Sequence, residues 1–233
     1  MEKFSLTGGL KKLKSDLSGM TFKQKVSHLW TYYKLWLIAA ILIVMGLSLV
    51  TTMIINKSTV TLCSGMLVNI EMSDEGKAYM HEQLFEELKT DKGLEKVQFN
   101  HAEIYKGNDA ETTNTNYYTI TSLTGLAAAG ELDYLIVDKF AMDTIIPHEI
   151  FLDLRKVFTQ QELDAMGNAV VYSRSEGTPE EEGVPVAINI TDLPYITKNV
   201  ALKESDTIFF AFARGSERTE LQRLIWDRLN SYQ

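Results

Sequence analysis

A stretch of 22 residues without a charge, between Lys34 and Lys57, constrains this chain more than any other feature. Its first 21 residues, 35–55, are apolar except for a few Gly, Ser and Thr. In a helix, 21 residues span about 31 Å, the thickness of the hydrocarbon core of a bilayer. The alternative, a helix buried in a soluble protein, usually has a polar face over such a length. We therefore predict a transmembrane helix over residues 35–56, with Leu35–Ile55 in contact with membrane lipid.

The flanking sequence favours an uncleaved signal-anchor over a cleaved signal peptide. The apolar run exceeds the roughly 7–15 residues of a signal-peptide core, and no A-x-A-like cleavage site follows it. Cys63 is preceded by Leu62, whereas lipoprotein processing needs a small residue there. We expect the anchor to stay attached to the mature chain.

The distribution of charge predicts which side of the membrane each part occupies. Residues 1–34 contain seven lysines and two acidic residues, a net charge of +5. Because positive flanks stay cytoplasmic, residues 1–34 are predicted to be a basic cytoplasmic arm of a single-pass cell-membrane protein, with residues 57–233 extracytoplasmic. Within the arm, residues 22–34 have the spacing of an amphipathic helix that lies in the membrane interface. Alternatively, the lysines only set the orientation.

The predicted outer domain is acidic, and this excludes one class of partner. It contains 16 Lys and Arg against 29 acidic residues, a net charge of −13. Nucleic acid binding needs clustered basic residues, so we expect no nucleic acid partner. The single cysteine also excludes an internal disulfide, so the domain depends on its hydrophobic core for stability.

Strand-like and helix-like patterns alternate along the outer domain. The predicted strands are 59–70, 96–105, 132–137, 169–172, 184–190 and 207–213. The predicted helices are one from the Ser73 cap to Lys89, then 112–129 (stopped by Gly130), 139–146, one after Thr159, and one capped by Ser216. This alternation is typical of an α/β fold, and we predict one doubly wound, mostly parallel sheet with helices on both faces.

Several segments resemble bacterial extracytoplasmic solute-binding proteins. AAAGELDYLIVD resembles their "AGxxD" turn and central strand, and IFLDLRKVFTQQEL resembles their "fLxDL" segment and the following helix. GVPVAINI is similar to their "yGiPv" strand, and TIFFAFA with its helix is similar to their returning strand and helix. The resemblance implies a fold like one lobe of such a protein. About 175 residues suffice for one lobe only, so a ligand cleft between two lobes does not carry over.

Polar residues that follow the predicted strands are the candidate ligand site. In open α/β sheets, ligands bind beyond the carboxyl ends of the strands, near helix N-termini. The candidates are Asn69, Ser73, Asp138, Asn189, Thr191 and Asp192. The alternative is structural: Ser73 and Thr191 cap helices, and Asp138 ends a strand.

The sequence has no signature of catalysis, and we expect no cofactor, no metal ligand set and no catalytic residue. The four histidines are scattered, and no nucleophile elbow, phosphate-binding glycine loop or cysteine pair is present. The acidic residues 176–182 are predicted to form a solvated loop. The preferred function is therefore a non-catalytic binding or sensing domain at the outer cell surface. The alternatives are an interaction or scaffold subunit of an envelope assembly without a small-molecule ligand, and an enzyme of unrecognised type.

Overall fold

The computed structural model describes residues 21–90, 94–173, 183–202, 206–216 and 218–232. The chain divides into two compact units, Met1–Ser58 and Thr59–Gln233, and each is described by itself. The first 20 residues of the predicted basic arm and the predicted acidic loop lie outside the described residues.

The first unit is built on one long helix. This helix, α1, is continuous over Phe22–Ser58, so the predicted interfacial segment 22–34 and the predicted span 35–56 belong to the same helix. Thirty-seven helical residues extend about 56 Å. Among its described residues, the large apolar side chains that it exposes are Trp30, Leu35, Ile38, Ile41, Leu42, Ile43, Val44, Met45, Leu47, Leu49, Val50, Met53 and Ile54. In the part of the chain that the structure describes, no helix combines the length and apolar character needed to cross a membrane.

The second unit is a mixed α/β domain. Its chain order is β1 (Thr59–Val68), α2 (Asp74–Leu88), β2 (Leu94–Ala102), α3 (Ala110–Ala128), β3 (Tyr134–Asp138), α4 (Lys139–Ile145), α5 (Gln160–Met166), β4 (Val170–Ser173), β5 (Val184–Asn189), α6 (Pro194–Asn199), β6 (Ile208–Phe212) and α7 (Thr219–Asn230). Short 3-10 helices cover Ile146–His148, Leu154–Lys156 and Gly167–Ala169. The α/β class predicted from the sequence is confirmed.

The described strands form one sheet in the order β2-β1-β3-β6-β5-β4. β1 pairs in parallel with β2 and with β3, whereas β3–β6, β6–β5 and β5–β4 are antiparallel pairs. The prediction of a mostly parallel sheet therefore holds on one side of β3 and is wrong on the other. The reason is that β6 runs against both of its neighbours, β3 and β5, and that β4 runs against β5.

Helices cover both faces of the sheet, as predicted. On β3, Tyr134 and Ile136 enter one hydrophobic core, while Leu135 and Val137 enter the other. The first core is completed by α2, α5, α6 and α7, and the second by α3 and α4. Because successive side chains of a strand point to opposite faces, a nearly continuous apolar run such as LDYLIV fits a strand buried on both sides.

Local capping signals place most helix starts correctly. The Ser73 hydroxyl accepts a hydrogen bond from the Gly76 amide at 3.0 Å, and Thr159 with Glu162 forms a capping box at the start of α5. Gly130 has a φ of 69° just after α3, as expected for a residue that ends a helix. The prediction that Ser216 caps the last helix is wrong. α7 begins at Thr219, and the Ser216 hydroxyl donates to Asp133 instead.

Candidate functional site

The sheet brings four of the six predicted site residues to one edge. We call this the carboxyl edge, where β1, β2, β3 and β5 end; the opposite edge, where these strands begin, is the amino edge. Asn69 follows β1, Asp138 ends β3, Asn189 ends β5, and Thr191 bonds the first residue of β6. Whether a ligand binds at this edge stays a prediction.

Asn69 joins the segment that follows β1 to the segment that follows β2. Its side-chain amide donates to the Ile104 carbonyl at 3.0 Å and to the Asp138 carboxylate at 3.3 Å, and its side-chain oxygen accepts from the Ile104 amide at 2.8 Å. Its φ is 57°, in the left-handed region that Asn tolerates better than most residues. The structure therefore gives Asn69 an architectural role beside the edge.

Asp138 caps the short helix α4. One carboxylate oxygen accepts from the Ala141 amide at 2.7 Å and from the Asn69 amide at 3.3 Å. Asn69 and Asp138 are thus in direct contact although 69 residues separate them in sequence. The carboxylate oxygen that caps the helix is the acceptor that a ligand would need. This favours the alternative interpretation, in which Asp138 serves the fold and does not bind a ligand.

Ser73 lies in a polar contact between α2 and α6. Besides capping α2, its hydroxyl donates to the Asn199 side-chain oxygen at 3.0 Å, and its amide donates to the Asn199 carbonyl at 2.8 Å. The buried Tyr195 hydroxyl donates to the Gly76 carbonyl at 2.8 Å. Ser73 is therefore committed to holding α6 against α2. The six-residue helix α6 was not among the predicted elements.

The remaining candidates lie in the turn after β5. The Asn189 side-chain oxygen accepts from the Thr191 amide at 3.0 Å and from its hydroxyl at 2.7 Å, while the Thr191 oxygen accepts from the Ile208 amide at 2.9 Å. Thr191 does not cap α6, whose N-cap is Leu193. Asp192 is exposed in the same turn. These contacts join β5 to β6.

A groove of about 750 Å³ lies at the carboxyl edge, on the face covered by α2. It is lined by Leu67, Asn69, Ile70, Glu71, Lys77, Phe99, Asn100, His101, Glu103, Ile104, Tyr105 and Lys106. Of the six predicted residues, Asn69 is a member of this lining. The others are not, and most of the lining comes from β2 and the following loop, where the sequence interpretation placed no site.

Glu103 and Tyr105 on the rim of this groove form a hydrogen-bonded pair. The Tyr105 hydroxyl donates to the Glu103 carboxylate, which lowers the pKa of Glu103 and raises the pKa of Tyr105. His101 lies 3.6 Å from the other Glu103 oxygen. The carboxylate therefore stays ionised and the phenol stays protonated near pH 7. Neither group is poised to exchange a proton with a substrate.

The two lysines on the rim add mobile cations. Lys77 lies 4.0 Å from the exposed Asp74 carboxylate, a weak contact, and the Lys106 ammonium lies 5.3 Å from the centre of the Phe140 ring. The lining thus combines an apolar floor with two lysines and two glutamates. Such a surface is suited to recognition of a ligand with both apolar and polar groups.

The amino edge holds the main buried charge that sequence reasoning missed. Asp133, immediately before β3, is 0% exposed. Its carboxylate accepts two hydrogen bonds of 2.6 Å from Arg218, one of 2.7 Å from the Ser216 hydroxyl and one of 2.8 Å from the Ser64 amide. We call these four residues the Asp133 cluster. It connects β1, β3 and the loop before α7.

Tight backbone packing surrounds the Asp133 cluster. A Cβ atom placed on Gly215 would lie 1.7 Å from the Ala127 carbonyl, so only glycine fits between Arg214 and Ser216. Gln222 donates from its side chain to the Ser216 carbonyl at 2.9 Å. The cluster is therefore a closed structural unit and not a ligand site. The sequence signal for it was a lone Asp directly before a buried strand.

Cys63 lies beside this cluster and is inert at neutral pH. Burial raises the pKa of the thiol, and the neighbouring Asp133 charge raises it further. A thiol that stays protonated is a poor nucleophile. This agrees with the sequence interpretation of Cys63 as a buried, unreactive residue.

A second cavity, of about 440 Å³, opens near the amino edge. Its lining includes Phe151, Leu152, Val184 and Val186, with the ion pair of Arg214 and Glu149, 2.8 Å apart, at its rim. Among the residues described, no group of three or more His, Cys, Asp or Glu side chains is arranged to hold a metal ion.

Comparisons of the chain with protein-family models, curated proteins and solved structures found no match.

Proposed function

We propose that this chain is a membrane-tethered, non-catalytic binding protein whose domain 57–233 lies outside the cell and binds its ligand in the groove at the carboxyl edge. The observation that carries the proposal is the groove itself, about 750 Å³, with an apolar floor and a charged rim. Ligand pockets in proteins commonly have this size and composition.

The tether is supported by sequence and by the form of α1. The 22 uncharged residues between Lys34 and Lys57 lie within the continuous helix Phe22–Ser58. In that segment, large apolar side chains such as Leu42, Met45 and Ile54 are more than half exposed, which is costly in water and favourable in lipid. The seven preceding lysines support a cytoplasmic N-terminus.

A binding role, rather than catalysis, is supported by the interactions that the polar side chains at the carboxyl edge already make. Of the predicted site residues, Asp138 and Ser73 cap helices, so their polar groups are engaged in the fold. On the groove rim, the ionised Glu103 and the protonated Tyr105 serve recognition better than proton transfer. The antiparallel position of β6 beside β3 is also in keeping with the returning strand of the solute-binding resemblance.

The test is thermal unfolding of the full chain in lipid nanodiscs with pooled sugars, amino acids, peptides, nucleobases and metal ions. Trp226 is buried in the second unit, so a Trp30→Phe/Trp36→Phe background makes its fluorescence report that unit alone. A ligand at 100 times its dissociation constant stabilises the fold by about 2.7 kcal/mol. We expect an upward shift of the melting temperature with one pool.

A groove-filling variant provides the control. Lys77 lies on α2, on the same face as the groove, and its side chain is 42% exposed, so Lys77→Phe fills the groove without disturbing a buried contact, and Lys77→Gln is the matched change that leaves it open. The shift should vanish in Lys77→Phe and persist in Lys77→Gln. A shift that persists in both variants contradicts the groove as the site.

The second candidate is an interaction or scaffold subunit of an envelope assembly. It is favoured by Tyr117 and Tyr118, which are 66% and 71% exposed side by side on α3. Exposed aromatic side chains are enriched at protein interfaces. Purification in mild detergent distinguishes the two. A partner protein lost on Tyr117→Ser/Tyr118→Ser, with no shift from any pool, supports the scaffold function.

A further inference from the structure

The outer edge of β2, beside the groove, is not paired with any strand that the structure describes. Its carboxyl half, Val97–Ala102, has the sequence VQFNHA and contains no Lys, Arg, Asp, Glu or Pro. Free edges of sheets are usually protected by charges, proline or bulges, because their unpaired backbone groups recruit other strands. An unprotected half-strand at a recognition groove is therefore a place where a strand can be added.

Cavities flank this half-strand on both faces of the sheet. The groove lies on the face of α2, with Leu67 and Phe99 in its lining. A cavity of about 360 Å³ lies on the face of α3, with Met66, Ala102 and Leu123 in its lining. Both are lined by His101. We call the second one the α3-side cavity.

Paired cavities of this kind match the geometry of an added strand. Successive side chains of an extended peptide point to opposite faces, so alternate residues enter alternate cavities while the backbone pairs with the edge. The groove has room for a large apolar or aromatic side chain, and the α3-side cavity for a smaller one. A compact small molecule in the groove makes no use of the α3-side cavity.

The charges indicate what such a segment contains. The lining of the α3-side cavity holds no Asp, Glu, Lys or Arg, and the two glutamates on the groove rim are balanced by two lysines. An electrically neutral segment with apolar side chains fits both cavities, whereas an anionic ligand has no excess of positive charge to bind.

We propose that Val97–Ala102 accepts an extended, neutral segment of another protein as a further strand, with alternate side chains in the groove and in the α3-side cavity. The inference rests on the proposed function, because it names the occupant of the same groove. It makes the outer domain a receptor for an unfolded or extended peptide, held by backbone hydrogen bonds and two side-chain cavities.

The probe is a pool of acetylated, amidated octapeptides in which Val, Leu, Phe or Tyr alternates with Thr, Ser, Gln or Asn. Binding to the full chain in nanodiscs is measured by fluorescence anisotropy, and the tightest peptide is resynthesised in two N-methylated forms. Methylation of one alternate set of amides removes the donors that face β2, and methylation of the other set removes the donors that face solvent. One form should lose affinity at least about 30-fold and the other less than about threefold.

Two cavity-filling variants complete the test. Lys77→Phe fills the groove and Ser122→Phe fills the α3-side cavity, with Lys77→Gln and Ser122→Ala as matched controls. Each Phe variant should weaken the peptide about tenfold or more, and each control should not. Both variants are first checked for an unchanged melting temperature, and a variant that melts early is replaced by the Leu substitution at the same position.

The other outcomes overturn the inference in distinguishable ways. No peptide binding, together with a small-molecule shift that Lys77→Phe alone removes, refutes strand addition and leaves the binding function standing. Equal effects of the two N-methylated forms exclude backbone pairing. Concentration-dependent dimers that Gln98→Lys dissociates would make a second copy of β2 the occupant. No binding of any pool refutes both proposals.

Discussion

The two edges of the sheet use polar residues in opposite ways. At the amino edge, Asp133 is fully buried and receives four hydrogen bonds from Arg218, Ser216 and Ser64. At the carboxyl edge, Asn69 and Asp138 hold loops and a helix start, and an open groove with a charged rim lies beside them. The strongest electrostatic contact in the domain is thus structural, and the surface available to a ligand is the weakly paired one.

The largest effect is expected at the amino edge. Arg218→Met leaves the Asp133 carboxylate buried without its cation, and removal of one partner of a buried ion pair costs about 3 kcal/mol. Arg214→Met, in the same loop, breaks an exposed pair and should cost less than about 0.5 kcal/mol. Urea unfolding followed by Trp226 fluorescence measures both. Equal losses of unfolding free energy in the two variants would contradict the claim that the buried ion pair stabilises the domain more than the exposed one.

Asn69 tests how much of the carboxyl edge is structural. Asn69→Ala loses the hydrogen bonds to Ile104 and Asp138 and places an alanine at a φ of 57°, with an expected loss of about 2 kcal/mol. Asn69→Gly loses the same hydrogen bonds without the backbone strain and should be about 1 kcal/mol more stable than the alanine variant. The unfolding free energies of the two variants test this prediction. An Asn69→Gly variant that is less stable than Asn69→Ala would contradict it.

The buried thiol predicts how stability changes with alkaline pH. Because the folded-state pKa of Cys63 is raised above its ordinary value of 9.0, the folded domain retains a proton that the unfolded chain loses. The stability from this group is therefore complete below pH 9 and falls above it, by about 1.4 kcal/mol per pH unit. Cys63→Ala should show a shallower decline between pH 9 and 10. Parallel curves for the two proteins would refute burial as the cause.

The smallest effect is expected on the groove rim. Lys77→Gln removes a cation whose nearest carboxylate, on Asp74, is 4.0 Å away and fully exposed, so the unfolding free energy should change by less than about 0.5 kcal/mol. Arg218→Gln is the matched removal of a cation at the amino edge. If Lys77→Gln lowered the unfolding free energy as much as Arg218→Gln does, the groove rim would contribute to stability as much as the amino edge. The two edges would then not differ in the way that we propose.

Local chemistry made much of the fold predictable from the sequence. Ser73, Thr159 and Gly130 mark helix ends through hydrogen bonds or backbone preferences within a few residues. The run LDYLIV indicates a strand covered on both faces, because Asp133 is its one charged residue and the four residues after it are apolar or aromatic. The short helix α6 has too few residues to show a helical period, so it was missed.

Long-range pairing explains what the sequence did not reveal. The direction of β6 depends on its pairing with β3, in which Asp138 pairs with Ile208, and Asp133 meets Arg218 across 85 positions. Of the predicted site residues, Asn69 lines the groove and the other five do not, because Ser, Asp and Asn at strand ends serve equally as caps and as ligand contacts. β2 and its loop, with Phe99, His101 and Tyr105, gave no motif.

The most direct test of the central claim is hydrogen exchange of the full chain in nanodiscs, with and without the pool that raises the melting temperature. The account predicts slower exchange in residues 67–77 and 99–106, which line the groove, with little change around Phe151 and Val184. Protection confined to the cavity near the amino edge, or no protection at the groove, would contradict the carboxyl edge as the binding surface.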